Sequence, residues 1–286
     1  MKIVGHEAIR EKLESIVKTG NIANAYLFVG IEGIGKKLVA TEFAKSILND
    51  EASYHADLKE IAPEKDVIKV DVIRGMIDEV YLMPTISQRK VFVIDDADKM
   101  NEQAQNALLK VLEEPPIYAT IILIASSKEK LLNTIKSRVV EFPFQRLKKE
   151  EIEQILKDNT EASKEQIKDA VMFSNGSVAR ALTFLSDNTF QVAKELSDCI
   201  LEKDFLKTNR KLESIKADKM LKANITDILE KVMYLFYQNL KADISFDYYL
   251  IEALQNAIEN IKRNANVDLT LDMLAITVSE LSSMLS

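Results

Sequence analysis

Two adjacent carboxylates, Asp95 and Asp96, follow the apolar run Val91-Phe92-Val93-Ile94. A run of that length and character fills a buried parallel strand. In open α/β sheets ligands sit beyond the carboxyl ends of the strands, so this pair stands where a magnesium ion could be held or a water oriented. A second stretch with chemistry to offer is Gly30-Ile31-Glu32-Gly33-Ile34-Gly35-Lys36-Lys37. It follows the apolar run Ala25 to Val29 and precedes Leu38, Ala40, Phe43, Ala44 and Ile47, which are spaced for a helix. Strand, glycine loop and helix are the context a phosphate-binding loop requires. Gly30, Gly33 and Gly35 let the backbone approach phosphates, the helix start offers free N–H donors, and Lys36 stands where the phosphate-binding lysine belongs. One position departs. The motif calls for Ser or Thr at residue 37, whose hydroxyl ligates magnesium, whereas Lys37 has only donors and repels a metal.

Other elements must hold these groups in place. The apolar spacing predicts helices over Ile9 to Val17 and Gln103 to Glu113, the second stopped by Glu114-Pro115-Pro116. Asp71 is expected to cap a helix running to about Tyr81. Thr120 to Ile124 reads as a further buried strand that ends in Ala125-Ser126-Ser127, and Leu131 to Lys136 as a short helical segment. Asn49 to Val70 is polar, and its lone histidine, His55, reads as a surface or packing residue. After Pro143 everything reads as helix. Glu150 to Asp158, Ser163 to Phe173 and Ser177 to Leu185 form a small three-helix unit, with a capping box at Ser163-Lys164-Glu165-Gln166. Longer amphipathic helices follow over Met220 to Leu240, Tyr248 to Asn264 and Leu269 to Leu285.

Composition narrows the function classes. A formal net charge of −7 argues against a free-standing nucleic-acid binder, which usually carries a basic footprint. No apolar run has membrane-spanning length, and the charged N-terminus lacks the core of a signal peptide, so a cytoplasmic protein without membrane contact is expected. Cys199 is the only cysteine, which leaves neither an intrachain disulfide nor a cysteine-rich zinc cluster. No metal site is expected.

The stretch Asp95-Asp96-Ala97-Asp98-Lys99-Met100, continuing through NALLKVLEEPP, resembles the segment after the Walker B strand in the clamp-loader clade of the AAA+ family. These are subunits of bacterial DNA polymerase III that open and place the sliding clamp. Ser137-Arg138-Val139 is similar to the Ser-Arg-Cys motif of that family, with valine replacing the cysteine. Asn175-Gly176-Ser177-Val178-Ala179-Arg180 resembles its second sensor motif. The resemblance covers nearly the whole chain and is strongest over residues 1–145.

The resemblance implies an α/β P-loop AAA+ domain with a parallel sheet at 1–145, a three-helix lid at 146–187 and an all-α collar for oligomerisation at 188–286. It implies that Arg138 is an arginine finger inserted into a neighbouring subunit's ATP site; a surface arginine ahead of a strand is the alternative. Ser127 would sense the γ-phosphate, or serve as a plain turn residue. Arg180 would be the sensor arginine, or pair with an acidic lid residue. Active relatives carry glutamate at position 96. The shorter Asp96 sets its carboxylate back by about 1.5 Å, and a misplacement near 1 Å costs about a hundredfold in rate. Many relatives also carry a four-cysteine zinc module between residues 49 and 70, which this sequence lacks.

With both catalytic positions altered and Ser-Arg retained, the composite most resembles the delta-prime type of subunit. That type is a hydrolysis-poor member of a hetero-oligomeric ring with delta and the ATPase motor subunits, meeting sliding clamp and primer-template DNA through the complex. No cofactor would be required, and ATP or ADP binding stays open. The alternatives are a self-sufficient AAA+ ATPase, either a motor subunit or a replication or recombination factor, and a DNA-binding regulator.

Overall fold

The computed structural model describes residues 3–50, 55–186, 189–202, 204–239 and 244–284. The chain divides into two compact units, Met1–Leu182 and Thr183–Ser286.

Alternation of side chains builds the first unit. Five parallel strands, β1 (Ala25–Val29), β2 (Leu58–Ile61), β3 (Lys90–Ile94), β4 (Ala119–Ala125) and β5 (Val140–Pro143), pair in the order β2-β3-β4-β1-β5. Successive strand residues point to opposite faces. Leu27, Phe92, Ile94, Ile121 and Leu123 therefore enter one core, and Tyr26, Phe28, Val91, Val93, Ile122 and Ile124 the other. Helices α1 (Glu7–Thr19) and α2 (Lys36–Leu48) supply Leu13, Val39, Ala40, Phe43 and Ala44 to the second face. The first face is covered by α3 (Val70–Val80) and α4 (Glu102–Glu113), through Ile73, Met76, Ala104, Leu108 and Val111. Both faces of the three inner strands are buried, which is why those strands read as continuous apolar runs.

Local chemistry sets the helix ends. The Asn101 side chain accepts from the Ala104 N–H at 2.8 Å and so starts α4. The short α5 spans Asn133–Lys136. Three more helices follow β5: α6 (Lys149–Asn159), α7 (Lys164–Ser174) and α8 (Val178–Ser186). Ser163 and Gln166 form the expected capping box at the start of α7.

Three sequence expectations need correction. Asp71 does not cap α3: the helix begins at Val70, Lys69 is its N-cap, and Asp71 lies in the first turn, where its charge favours the helix dipole. The polar stretch from Asn49 to Val70 holds an unexpected edge strand, β2, half-buried and four residues long, whereas His55 ahead of it is buried, in keeping with the packing alternative of its sequence reading. The helix expected over Met220 to Leu240 is two, α11 (Lys219–Ala223) and α12 (Ile225–Asn239), separated at Asn224; Leu240 lies outside the described residues.

The second unit is all helix: α9 (Thr189–Leu201), α10 (Phe205–Ala217), α11, α12, α13 (Ile244–Lys262) and α14 (Val267–Met284). Leu285, the expected end of the last helix, lies outside the described residues. Leu196, Ile215, Ile228, Leu229, Val232, Leu250, Leu254 and Leu271 form its core. Lys231 is fully buried there; its Nζ donates to Asp227 Oδ2 at 2.7 Å and to Thr189 Oγ1 at 2.5 Å. Among the described residues no helix is long and apolar enough to cross a membrane.

Candidate functional site

The glycine loop leaves β1 at Gly30, whose N–H donates to Ala125 O of the neighbouring strand β4 at 3.2 Å. Gly33 and Gly35 adopt left-handed φ values of 77° and 92°. At Gly33 a side chain has no room: a Cβ would stand 2.4 Å from Ser177 Oγ and 2.5 Å from Ala179 Cβ. This close approach lets the first N–H groups of α8 reach the loop, Val178 and Ala179 donating to Gly33 O at 2.9 and 3.2 Å. His6 fixes the far side. Its Nε2 donates to Ile34 O at 2.8 Å, and its ring meets Phe144 edge-on at 4.8 Å.

Lys36 turns back into the loop. Its Nζ donates to Gly30 O at 2.6 Å and to Ile31 O at 2.8 Å, and the residue is 6% exposed. Burial pulls its pKa below the ordinary lysine value, partly opposed by Asp96 and Asp95. The ammonium thus satisfies loop carbonyls and remains within the same cavity as the two carboxylates.

Each strand-tip carboxylate is paired with a lysine. Lys37 Nζ lies 3.2 Å from Asp95 Oδ2 and 3.6 Å from Glu60 Oε2. Burial works against the Lys37 charge, but the hydrogen bond and charge of Asp95, with Glu60, outweigh it and raise its pKa. Asp96, in a left-handed conformation with φ 48°, meets Lys99 Nζ at 3.1 Å. Lys99 also binds Asp66 at 3.1 Å, and bonds to Asp66 and Asp96 raise its pKa. The third acid, Asp98, accepts from the Ser126 N–H at 3.0 Å.

A magnesium ion does not fit this donor set. It needs oxygen ligands in near-octahedral array, whereas residue 37 offers no oxygen and places a cation against Asp95. Asp96 is likewise held by Lys99, so the carboxylate at the position that would orient an attacking water is already paired. Among the described residues no group of three or more His, Cys, Asp or Glu side chains could hold a metal.

A cavity of about 650 Å³ opens over the loop. Gly33, Gly35, Lys36, Lys37, Asp95 and Asp96 line its polar end, and Ile3, Val4, Leu147, Ile155 and Leu182 its apolar end. Ser127, Arg138 and Arg180 do not line it. Ser127 donates to Glu129 on its own turn at 2.7 Å. Arg180 lies on the exposed side of α8, its guanidinium 5.4 Å from the Phe173 ring centre.

Arg138 forms a separate group just after α5. Its guanidinium meets Glu113 Oε1 at 2.9 Å and donates to Thr134 O at 2.9 Å and Ser137 Oγ at 3.1 Å. Glu113 is the last residue of α4, and α4 is tied to the Arg138 segment by a buried amide. Gln105 donates to Met100 O and Lys130 O, each at 3.1 Å, and accepts from the Leu132 N–H at 2.9 Å.

The roles of His6, Lys99, Gln105 and Glu113 were not visible in the sequence. Lys99 had a faint signal, since it stands three residues beyond Asp96 where a tight turn brings the two together. Another grouping resembles a nucleophilic relay and is not one. Ser87 Oγ lies 3.0 Å from His55 Nε2, but His55 Nδ1 accepts the Asp57 N–H at 3.0 Å. The ring proton is then on Nε2, so that nitrogen cannot take a proton from Ser87.

A glycine loop, a carboxylate-tipped β3 and a helical lid on a parallel sheet are an AAA+ architecture. The model of the family described as DNA polymerase III, delta subunit matches residues 5–148, just over half of the chain. The chain belongs to that family. Among similar proteins is the DNA polymerase III subunit gamma of Buchnera aphidicola subsp. Schizaphis graminum (strain Sg), 31% identical over 206 residues. That match covers 64% of this chain and 56% of the relative. The DNA polymerase III subunit gamma of Buchnera aphidicola subsp. Acyrthosiphon pisum (strain APS) is 27% identical over 305 residues, covering 92% and 84%. In fold, the chain is similar to the crystal structure of a DNA polymerase III, gamma subunit-related protein from Thermotoga maritima. The TM-score is 0.60 at 21% identity, over 96% of this chain and 99% of that one.

Proposed function

We propose that this chain is a hydrolysis-poor subunit of delta-prime type in a cytoplasmic DNA polymerase III clamp loader. It takes its place in a hetero-oligomeric ring with delta and the ATPase motor subunits. It helps the ring load the sliding clamp onto primer-template DNA, and it presents Arg138 to the ATP of an adjacent subunit. The observation that carries this reading is the double pairing at the strand tip, Lys37 with Asp95 and Lys99 with Asp96. A site so arranged lacks both the metal ligand and the free acid that hydrolysis needs. The Ser-Arg motif, by contrast, is intact, and a planar, permanently charged guanidinium suits a phosphate in transfer. Ser127 and Arg180 belong to this reading only as vestiges of sensor positions.

The similarity to relatives named gamma favours one other reading, a motor subunit. That role needs a metal at the loop, against which Lys37 stands. The test is capture of the tagged full-length chain from native cell extract, followed by mass spectrometry. Recovery of the other polymerase III loader subunits supports the proposal, and recovery of the chain alone contradicts it.

A further inference from the structure

Lys231 on α12 is an ammonium with no exposure in an all-helix core. Its partners come from three helices. Asp227, one turn earlier on α12, accepts from Nζ at 2.7 Å. Thr189, the first residue of α9, accepts from Nζ at 2.5 Å and donates its own hydroxyl proton to Asp227 Oδ2 at 2.8 Å. Phe184, in the last turn of α8, has its ring centre 5.5 Å from the ammonium and 4.1 Å from the ring of Phe190 on α9. All of these residues belong to the second unit.

A lysine is a poor choice for such a place on packing grounds alone. Replacing a buried ion pair by apolar residues of similar volume is often neutral or stabilising. Apolar contact is non-directional, however, and does not fix where along α12 its neighbours lie. The ammonium has three donors, and each contact here has a direction: to a carboxylate, to a hydroxyl and to a ring face. A buried charge that loses its partners is heavily penalised, so a slip of α8 or α9 along α12 is resisted.

We propose that Lys231 is a positioning residue, a latch that holds the last turn of α8 and the first turn of α9 in one register on α12. α8 is the helix whose first N–H groups reach Gly33 O, and the latch anchors its other end. The inference concerns the isolated chain, so its failure leaves the assembly proposed above standing.

The experiment is hydrogen–deuterium exchange, read by mass spectrometry, on the full-length chain as wild type, Lys231→Met and Thr189→Val. Methionine keeps an unbranched apolar stem, and the Asp227 side chain is 34% exposed, so its carboxylate stays hydrated without the lysine. Far-UV circular dichroism checks that both variants fold. Thr189→Val removes the bridging hydroxyl at nearly constant shape and keeps the ion pair, so it reads the latch even where Lys231→Met does not fold. In Lys231→Met, peptides covering the end of α8 and the first turns of α9 should exchange about tenfold faster, while α13 and α14 are unchanged. Thr189→Val should show a smaller rise in the same peptides. Unchanged exchange there in the folded variants overturns the proposal. So does a rise spread evenly over the second unit, which is the mark of a general loss of stability.

Discussion

Glu113 holds the guanidinium of Arg138 at 2.9 Å, joining the end of α4 to the turn after α5. Arg138 is thereby parked against its own subunit, with Thr134 O and Ser137 Oγ as further acceptors. Under the proposed role of Arg138 on a neighbour's phosphate, Glu113 competes for the same guanidinium. Glu113→Gln removes that charge. Because the pair is exposed, stability should change by less than about 1 kcal/mol. ATP hydrolysis by the reassembled complex without clamp should rise. Unchanged basal hydrolysis in a correctly assembled complex argues that Glu113 does not restrain the arginine.

Gln105 is the buried link behind that arrangement. It is 4% exposed and makes three hydrogen bonds to backbone groups. Gln105→Leu fills the space but strands two carbonyls and one N–H. The expected loss is about 2–3 kcal/mol, read by chemical denaturation. A loss below 0.5 kcal/mol, on the order of an ordinary surface substitution, would show the link to be dispensable.

Asp57 predicts a pH dependence. It is fully buried beneath the loop before β3, and its carboxylate accepts three backbone N–H bonds, from Thr85 at 2.6 Å and from Ile86 and Ser87 at 2.8 Å. Burial disfavours the charge, but the three donors outweigh it and hold the pKa below the ordinary 3.8. A depressed folded-state pKa gives stability that is present above the unfolded value and is lost as pH falls through the folded one. Asp57→Asn, which sets an amide donor against those N–H groups, should therefore cost about 2–3 kcal/mol at neutral pH. The gap from wild type should narrow below about pH 4. Urea unfolding at several pH values measures it, and a gap independent of pH refutes the role given to the ionised carboxylate.

The purified chain should not turn over ATP. Lys37 and Lys99 occupy the two carboxylates, and Lys36 is folded onto the loop carbonyls. Steady-state phosphate release at the level of buffer, unaltered by Lys36→Ala, is the expected result. Turnover that disappears in Lys36→Ala would place this chain among the motors.

What could be read from the sequence was whatever depends on local order. The runs Ala25 to Val29, Val91 to Ile94 and Thr120 to Ile124 are buried on both faces, so their apolar character is unbroken, and the glycine loop follows its strand directly. Leu58–Ile61 escaped notice because an edge strand with a half-buried LKEI sequence has no such signature. The partners of the site escaped for a different reason. Lys37 with Glu60, Arg138 with Glu113 and His6 with Ile34 are each brought together across at least twenty residues, and only the folded sheet sets those distances. The break at Asn224 was hidden because the apolar spacing continues across it, while Asp218 caps a short separate helix by accepting from the Met220 and Leu221 N–H groups.

The most direct test of the account is ATP hydrolysis and clamp loading by the reassembled complex carrying Arg138→Ala. An essential arginine finger contributes roughly 10³–10⁵ in rate at one site, and other sites in the ring continue to fire, so the overall loss should be smaller. The expected result is a fully assembled complex with weaker clamp-stimulated hydrolysis and slower loading, little rescued by Arg138→Lys. An assembled mutant complex that hydrolyses ATP and loads clamps at the wild-type rate would contradict the account.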